Sequence, residues 1–308
     1  MIANLKIKNL VIERKKMNFN GQTQLYGFLA HPARHSLSPL MHNLSFQARQ
    51  LNACYLAFDL KPTAFDLSAA NLKNFFAGFN LSMPYKKQII PYLDELTPQA
   101  QRIMAVNTVK NQAGHLIGES TDGAGLFADL QEKNQKLAGK NLMVLGAGGA
   151  GRAIIAAAAD YQVKKVFVCK RPNQTFLAIK QWLQKISQST TTEYQLIDYA
   201  DQAALKSCLQ QSQILINATN VGMDGQALPL TSAILEQLKA EQFVYDIIYQ
   251  PLKTPLLHLA AQKGCSYANG VGMLLWQGAL AFEFWTGQSM PLHQVKTALL
   301  NEIRRRSS

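Results

Sequence analysis

A glycine-rich turn near the middle of the chain constrains the fold more than any other feature. The turn is Gly146-Ala147-Gly148-Gly149-Ala150-Gly151; the apolar run Leu142–Leu145 precedes it, and an alanine-rich stretch follows. A strand, a G-x-G-x-x-G turn and a helix in this order are typical of dinucleotide-binding folds, where the helix N-terminus receives the pyrophosphate. Residues 146–150 are therefore predicted to bind a dinucleotide.

The position of this turn predicts that another domain precedes it. The chain has 308 residues, more than one compact core usually holds. The first half alternates predicted strands (Leu25–Ala30, Cys54–Leu60, Phe76–Ser82) with predicted helices (Pro39–Leu51, Phe65–Asn74), and a hairpin follows (Ala105–Lys110 with His115–Gly118). This order predicts a mostly parallel sheet with an antiparallel excursion.

The second half repeats strand and helix more regularly. Its predicted strands are Leu142–Leu145, Lys165–Cys169, Glu193–Asp198, Ile214–Ala218, Phe243–Ile248 and Ser266–Ala268. Such alternation indicates a doubly wound sheet. The segment from Met273 onward is helical and has no strand partner left, so we expect it to return to the first domain.

These patterns predict an α/β protein of two domains. The first is an N-terminal α/β substrate-binding and catalytic domain over residues 17–123, completed by C-terminal helices at 273–308. The second is a Rossmann-type dinucleotide-binding domain over residues 124–272. Hinges are expected where the chain crosses between them, near Gly123–Gly125 and Gly270–Gly272.

The charge distribution argues against nucleic acid as a partner. The net charge is +12, of which +4 lies in residues 1–16 and +3 in residues 291–308. Residues 1–16 are interpreted as a basic N-terminal extension, with Met17 as the candidate physiological start. No base-reading motif accompanies the remaining charge.

Neither a membrane nor a metal is expected as a partner. Charged residues interrupt the N-terminal apolar stretches, and the longest apolar segment, Val271–Trp285, is too short to span a bilayer. The four cysteines are far apart and form no Cys-x-x-Cys pair, which disfavours a disulfide framework or a metal site. A cytoplasmic location fits these features best.

Four residues in the first half could carry chemistry. Ser36 and Ser38 could bind an anion or a polyol, or Ser38 could simply cap a helix with Pro39 at its first position. Lys86 follows a strand at its carboxyl end and could exchange a proton with a substrate hydroxyl, unless it is an ordinary solvated lysine. Asp122 could orient that hydroxyl, or could be a helix N-cap.

In the second half, the residues after the second strand bear on the choice of dinucleotide. Enzymes that use NAD usually place an acidic residue there, to hold the ribose 2′-hydroxyl. This chain has Cys169-Lys170-Arg171-Pro172-Asn173 instead. Lys170 and Arg171 favour the 2′-phosphate of NADP, with a solvated basic turn as the alternative.

Together these motifs resemble the shikimate dehydrogenase family from about Leu25 to the C-terminal helix. The matching residues are His35-Ser36-Leu37-Ser38-Pro39, Asn80-Leu81-Ser82-Met83-Pro84-Tyr85-Lys86, Ala105-Val106-Asn107-Thr108-Val109, Ser120-Thr121-Asp122-Gly123, the 146–151 turn and Asn269-Gly270-Val271-Gly272-Met273-Leu274-Leu275-Trp276-Gln277. The Ser-Met-Pro triplet and the last stretch particularly resemble the quinate/shikimate dehydrogenase branch.

The resemblance implies a role for each matching residue. Lys86 and Asp122 would be the catalytic pair, and Ser36 and Ser38 would bind the substrate carboxylate. Ser82, Asn107, Tyr249 and Gln277 would contact the substrate ring, and Ile247 and Gly270 would line the nicotinamide. The implied reaction is the reversible, metal-free oxidation of the shikimate 3-hydroxyl to a ketone.

Some residues depart from the family pattern. Lys170 takes the place of an asparagine, and Pro172 and Asn173 match neither branch. The expected cofactor, from the basic pair Lys170 and Arg171, is NADP, and these departures leave NAD as the alternative. The alternatives to a shikimate dehydrogenase are a quinate/shikimate dehydrogenase that uses NAD in quinate catabolism and a catalytically silent dinucleotide-binding sensor. Either a monomer or a homodimer is compatible with the sequence.

Overall fold

The structure, a computed structural model, describes residues 19–307. The predicted extension at 1–16 and the candidate start Met17 lie outside the described residues. The strands are β1 (Gln24–Ala30), β2 (Ala53–Asp59), β3 (Gly78–Leu81), β4 (Glu95–Leu96), β5 (Thr108–Gln112), β6 (His115–Glu119), β7 (Asn141–Leu145), β8 (Lys165–Lys170), β9 (Glu193–Asp198), β10 (Ile214–Asn217), β11 (Phe243–Asp246) and β12 (Ser266–Ala268). The helices are α1 (Ser38–Ala48), α2 (Phe65–Ala69), α3 (Tyr85–Gln88), α4 (Pro98–Ile103), α5 (Asp122–Glu132), α6 (Gly149–Ala157), α7 (Phe176–Ser187), α8 (Gln202–Gln211), α9 (Ser232–Leu235), α10 (Pro255–Gln262), α11 (Val271–Thr286) and α12 (Leu292–Ser307).

Across residues 19–307 the strands form two six-stranded sheets. The first sheet has the order β2-β1-β3-β5-β6-β4. In it, β1 pairs in parallel with β2 and β3, whereas β5 is antiparallel to both of its neighbours. The predicted parallel sheet with an antiparallel excursion is therefore confirmed. Because β1 and β3 are adjacent and parallel, the loops after them emerge at the same edge of the sheet.

The second sheet has the order β12-β11-β10-β7-β8-β9, and all of its pairs are parallel. Counted from β7, this is the 3-2-1-4-5-6 order of the doubly wound dinucleotide-binding fold. The order reverses between β7 and β10, and the glycine-rich turn leaves the carboxyl end of β7 at this point. Ligands of open α/β sheets bind at such a reversal.

The C-terminal helices pack on the first sheet. Met41 and Phe46 of α1 share one buried core with Phe282 of α11 and Leu299 of α12. Trp285 of α11 also donates a hydrogen bond from Nε1 to the carbonyl oxygen of Val109 in β5, at 2.9 Å. None of the helices between residues 19 and 307 combines the length and apolar character needed to cross a membrane.

One predicted helix is wrong, and several element ends move. The stretch Phe65–Asn74 is not one helix: it contains the short helix α2 and a 3-10 turn at Leu72–Asn74. Between them the Asn71 side chain donates to the Leu67 carbonyl at 2.9 Å and competes with the helical pattern. β11 ends at Asp246, two residues earlier than predicted, and β5 begins at Thr108, three residues later. Residues 247–248 and 105–107 therefore have irregular backbone, and both segments contribute residues to the candidate active site described below.

Candidate active site

Lys86 and Asp122 form an ion pair in the cleft between the two sheets. Lys86 lies on α3, directly after β3, where the buried Tyr85 stacks on Phe65 at 4.4 Å and fixes the turn. The Lys86 Nζ donates to Asp122 Oδ2 at 2.5 Å, and the two side chains are 18% and 12% exposed. The alternative of a solvated lysine is therefore wrong for Lys86.

Asp122 is also not a helix N-cap, contrary to the alternative prediction. The N-cap position of α5 is Thr121, and Asp122 is the first helical residue. The Asp122 carboxylate bonds a side chain instead: its Oδ1 accepts a hydrogen bond from Asn107 Nδ2 at 2.9 Å. Asn107 in turn receives the Thr121 backbone N–H at 2.8 Å. Asn107 therefore holds the carboxylate so that Oδ2 faces Lys86.

The serine loop after β1 faces the same space. Its Ser38 is the first residue of α1 and caps nothing; Leu37 occupies the N-cap position and makes no side-chain cap. The Ser38 backbone N–H instead donates to Ser36 Oγ at 3.2 Å. The predicted capping role of Ser38 is wrong. Within residues 19–307 the Ser36 hydroxyl donates to no acceptor, and it lies beside the positive end of the α1 dipole.

A cavity of about 330 Å³ brings the predicted substrate and catalytic residues together. Its lining includes Ser36, Ser38, Ser82, Lys86, Asn107, Asp122, Tyr249 and Gln277, together with Ile247 and Gly270 from the predicted cofactor set. The volume lies at the small end of ligand pockets, which suits a single-ring compound.

Asn80 lines this cavity as well, and the sequence reasoning gave it no role. Its Nδ2 donates to the Asn107 carbonyl at 3.1 Å and to Thr108 Oγ1 at 2.9 Å, and its Oδ1 accepts from the buried Tyr55 hydroxyl at 2.7 Å. Asn80 thus ties β3 to the irregular backbone before β5. The signal that could have found it is its place near the carboxyl end of β3, two residues before Ser82.

The glycine-rich turn has the geometry that a dinucleotide requires. Gly146 has φ of +96°, a conformation that side chains disfavour, and a Cβ there would lie 2.7 Å from Thr219 Cγ2. A Cβ at Gly151 would collide with the Gly146 carbonyl oxygen, so α6 packs directly onto the turn. A Cβ at Gly148 would face open space, which leaves the backbone there accessible to a phosphate.

A second cavity, of about 1610 Å³, begins at this turn. The predicted residues Gly146, Ala147, Gly148, Gly149, Ala150, Lys170, Arg171 and Ile247 line it; Gly270 lines only the smaller cavity. Ile247 and Tyr249 line both cavities, so the two spaces adjoin. Thr219 and Asn220, which follow β10, also line it. The sequence reasoning missed them, although they lie at the same edge of the sheet.

Lys170 and Arg171 lie at one side of this cavity. Lys170 is only 8% exposed, and its Nζ donates to Asn173 Oδ1 at 2.6 Å. Burial, and then the charge of Arg171, lower the pKa of Lys170. A solvated basic turn therefore does not describe Lys170. Neither Lys170 nor Arg171 forms an ion pair with a carboxylate of residues 19–307, and two adjacent cations of this kind suit a phosphate group.

The loop that separates the two cavities depends on Asp246. This buried carboxylate accepts from Asn217 Nδ2 at 3.1 Å, from Thr254 Oγ1 at 2.6 Å and from the Ile248 backbone N–H at 3.1 Å. Burial raises the pKa of Asp246. The three hydrogen bonds fix the backbone that presents Ile247 and Tyr249. Burial also raises the pKa of Tyr249.

Among residues 19–307, no group of three or more histidine, cysteine, aspartate or glutamate side chains is placed to hold a metal ion. The four cysteines are free thiols, three of them buried.

The family comparisons agree with this geometry. Residues 28–109 match the shikimate dehydrogenase substrate binding domain, and residues 270–300 match the shikimate 5′-dehydrogenase C-terminal domain. The chain is 41% identical over 280 residues to the shikimate dehydrogenase (NADP⁺) of Streptococcus sanguinis, covering 91% of this chain and 97% of that protein.

Solved structures of similar proteins contain shikimate together with a nicotinamide dinucleotide. The shikimate 5-dehydrogenase of Listeria monocytogenes, in complex with shikimate and NAD, has a TM-score of 0.86 and 40% identity, covering 91% of this chain and 98% of that one. The Thermus thermophilus enzyme, in complex with NADP(H) and shikimate, has a TM-score of 0.78 and 33% identity, covering 92% and 100%. With identity above 40% to a curated relative over nearly its whole length, this chain belongs to the shikimate dehydrogenase family.

Proposed function

We propose that this protein is an NADP-dependent shikimate dehydrogenase, which reversibly reduces 3-dehydroshikimate to shikimate. One observation carries the proposal. The Lys86–Asp122 pair lies in a cavity lined by hydroxyl and amide side chains, and this cavity adjoins the dinucleotide groove. The relatives at about 40% identity that are named shikimate dehydrogenase (NADP⁺) support the same substrate and cofactor.

Lys86 and Asp122 are the proposed catalytic residues. In the reduction direction, Lys86 donates a proton to the carbonyl oxygen of the substrate as that oxygen gains negative charge. In the oxidation direction, it takes the proton back from the hydroxyl. Asp122 accepts from Lys86 and from the substrate hydroxyl, and Asn107 keeps the carboxylate from rotating. Such fixed positions lower the barrier because little reorganisation is needed.

The remaining polar residues of the small cavity would orient the ring. Ser36 and Ser38, at the N-terminus of α1, are the proposed ligands of the substrate carboxylate, because hydroxyl groups and a positive dipole end both favour an anion. Ser82, Asn107, Tyr249 and Gln277 are the proposed contacts to the ring. Among the described residues that line this cavity, Lys86 is the only lysine or arginine, and it is paired with Asp122.

The proposed cofactor residues are Gly146, Ala147, Gly148, Gly149, Ala150, Lys170, Arg171, Ile247 and Gly270. When bound, NADPH would supply the hydride for the carbonyl carbon. The glycine-rich turn and the N-terminus of α6 would hold the pyrophosphate, and Lys170 and Arg171 would pair with the 2′-phosphate. Ile247 and Gly270 line the small cavity, where the nicotinamide must meet the substrate.

Replacing Lys170 with alanine tests the cofactor assignment. We expect KM for NADP to rise by about tenfold or more, because hydrogen bonds to charged groups contribute about 1.5–3 kcal/mol. KM for NAD, which lacks the 2′-phosphate, should change less than twofold. Lys165→Ala is the matched control, because Lys165 begins the same strand and lies outside the cavity lining. Equal losses with both cofactors would contradict the assignment.

The proposed substrate and cofactor are tested together by a steady-state assay. Shikimate and quinate are each combined with NADP and with NAD, and the absorbance of reduced nicotinamide is followed. We expect the highest kcat/KM for shikimate with NADP. Comparable turnover of quinate with NAD would favour the alternative of a quinate/shikimate dehydrogenase. Tight cofactor binding without turnover of either acid would favour a dinucleotide-binding sensor.

The assignment of substrate binding and dinucleotide binding to separate domains is part of the same proposal. Residues 17–123 and 273–308 would bind the substrate, and residues 124–272 would bind the dinucleotide. The core shared by α1, α11 and α12 supports the return of the C-terminal segment to the first sheet. We further propose a cytoplasmic monomer or homodimer whose partners are small molecules.

A further inference from the structure

Arg152 extends from the dinucleotide-binding helix to the other half of the molecule. It lies in the first turn of α6, directly after Gly151. Its Nη2 donates to the backbone carbonyl of Ile103 at 3.1 Å, and its guanidinium lies over the ring of Trp182, 4.5 Å from the centroid. One face of the guanidinium thus stacks on Trp182, and its edge donates a hydrogen bond to the Ile103 carbonyl at the end of α4.

A second side chain holds the neighbouring carbonyl. Trp182 of α7 donates from Nε1 to the carbonyl oxygen of Arg102, at 3.1 Å. Arg102 and Ile103 are the last two residues of α4, where helix carbonyls have no partner within the helix. Arg152 and Trp182 therefore satisfy the C-terminal end of α4 from the opposite half of the molecule.

The end of α4 leads directly to the proposed catalytic pair. After Ile103 the chain turns through Met104, which has φ of +54°. Three residues beyond Ile103, the Val106 backbone N–H donates to the carbonyl oxygen of Lys86 at 2.7 Å. The next residue is Asn107, which holds Asp122. The backbone of Lys86 and the carboxylate of Asp122 are thus both fixed by the segment that Arg152 secures.

The two sites also approach each other at the glycine-rich turn. A Cβ built at Gly149, the first residue of α6, would lie 4.0 Å from Lys86 Cδ. The Lys86 side chain therefore approaches the helix N-terminus proposed to receive the pyrophosphate. Arg152, three residues further along α6, is half-buried, and its Nε, which is shielded from solvent, has no partner among the described residues. The position of this half-buried cation therefore depends on its stacking on Trp182 and on its hydrogen bond to the Ile103 carbonyl.

We infer that Arg152 is a positioning residue, which fixes the Lys86–Asp122 pair through the Ile103–Asn107 segment and couples it to the dinucleotide-binding helix. The inference rests on the proposed function for its kinetic consequence, but its structural part does not. Ordering of α6 by a bound pyrophosphate would be transmitted through Arg152 to the backbone of Lys86.

The structural part is tested on the ligand-free protein by amide hydrogen exchange. Arg152→Met keeps an unbranched apolar stem and part of the ring contact but cannot donate to Ile103. We expect exchange of the Val106 amide to accelerate by about tenfold, because its partner segment loses an anchor. Arg102→Met is the matched control, because it removes an ion pair with Asp160 (2.7 Å) across the same interface without freeing the Ile103 carbonyl. It should leave exchange at Val106 within twofold.

The kinetic part is tested by separating kcat from KM. In Arg152→Met we expect kcat with shikimate to fall about tenfold or more, since small displacements of catalytic groups are costly. KM for shikimate and for NADP should change less than threefold. Arg152→Lys should recover part of kcat, because an ammonium group can still donate to Ile103. Arg102→Met should retain the wild-type kcat.

Three results would overturn the inference. One is wild-type exchange at Val106 together with wild-type kcat in Arg152→Met. Another is an equal loss in Arg102→Met, which would indicate a general loss of the interface. The last is a rise in KM for NADP with kcat unchanged, which would make Arg152 a phosphate ligand. If Arg152→Met fails to fold, the inference is tested with Arg152→Lys by the same measurements of Val106 amide exchange, kcat and KM. Failure of the wild type to oxidise shikimate would instead refute the proposed function.

Discussion

Replacing Lys86 with methionine is expected to reduce kcat for shikimate oxidation by about 10³-fold, within the range that a general acid–base group contributes. Methionine has a similar length but cannot donate or accept the proton at the substrate oxygen. NADP binding, measured by titration calorimetry, should change less than twofold, because the Lys86 side chain lines the small cavity and not the dinucleotide groove.

Lys87→Met is the control for this prediction. Lys87 is adjacent in sequence and on the same short helix, but it lines neither cavity. Burial, and then the charge of Arg152, lower the pKa of Lys87. We expect Lys87→Met to keep kcat within about threefold of the wild type. More than a tenth of wild-type activity in Lys86→Met would contradict the assignment of Lys86.

The second large effect concerns stability. His42 on α1 is completely buried, and neither ring nitrogen has a hydrogen-bond partner among the described residues. Its ring stacks on Tyr55, with the centroids 4.5 Å apart, and Trp285 lies 5.1 Å away. Burial lowers the pKa of His42 from 6.5 to about 3. The folded protein therefore holds this imidazole neutral at pH values where the unfolded chain protonates it.

The direction of the pH dependence follows. Above pH 6.5 the imidazole is neutral in both states, so the contribution of His42 does not change with pH. Below pH 6.5 the unfolded state binds a proton that the folded state does not, so the free energy of unfolding falls by about 1.4 kcal/mol per pH unit. From pH 6.5 to pH 4 the loss amounts to about 3 kcal/mol.

His42→Leu should remove this part of the pH dependence. Leucine keeps an apolar side chain of similar size in the core and does not titrate. We expect the free energy of unfolding, measured in urea at pH 7.5, 6, 5 and 4, to fall less steeply in the variant than in the wild type. His258→Leu, at an exposed position, serves as the control. Parallel curves for the wild type and His42→Leu would contradict the prediction.

The fold follows closely from local pattern where each element is fixed by nearby residues. The turn at 146–151 and the six strands after residue 140 lie within about two residues of their predicted ends, because buried parallel strands form short apolar runs between polar turns. β4, with only Glu95 and Leu96, carries no such run and was not predicted. Its pairing depends on β6, which is far along the chain.

In the candidate site, the role of a residue was harder to predict from the sequence wherever it depends on contacts with residues far along the chain. Lys86 and Asp122 were paired by the family resemblance, and the local pattern alone left a cap or a solvated lysine open. The place of Asn80 near the end of β3 marks it as a candidate but does not indicate its role, because its hydrogen bonds reach Tyr55, Asn107 and Thr108. The role of Arg152 could likewise not be predicted from nearby residues, since its contacts Ile103 and Trp182 lie 49 and 30 residues away in the sequence.

The packing of α11 and α12 on the first sheet has a consequence for the order of synthesis. Residues 141–268 contain every strand of the second sheet and leave the ribosome as one uninterrupted segment. The core around Met41, Phe46 and Tyr55 needs Phe282 and Leu299, so it cannot close until the last helix has emerged. The half of the protein that is made first must therefore wait longest to finish folding, with its apolar surface exposed meanwhile.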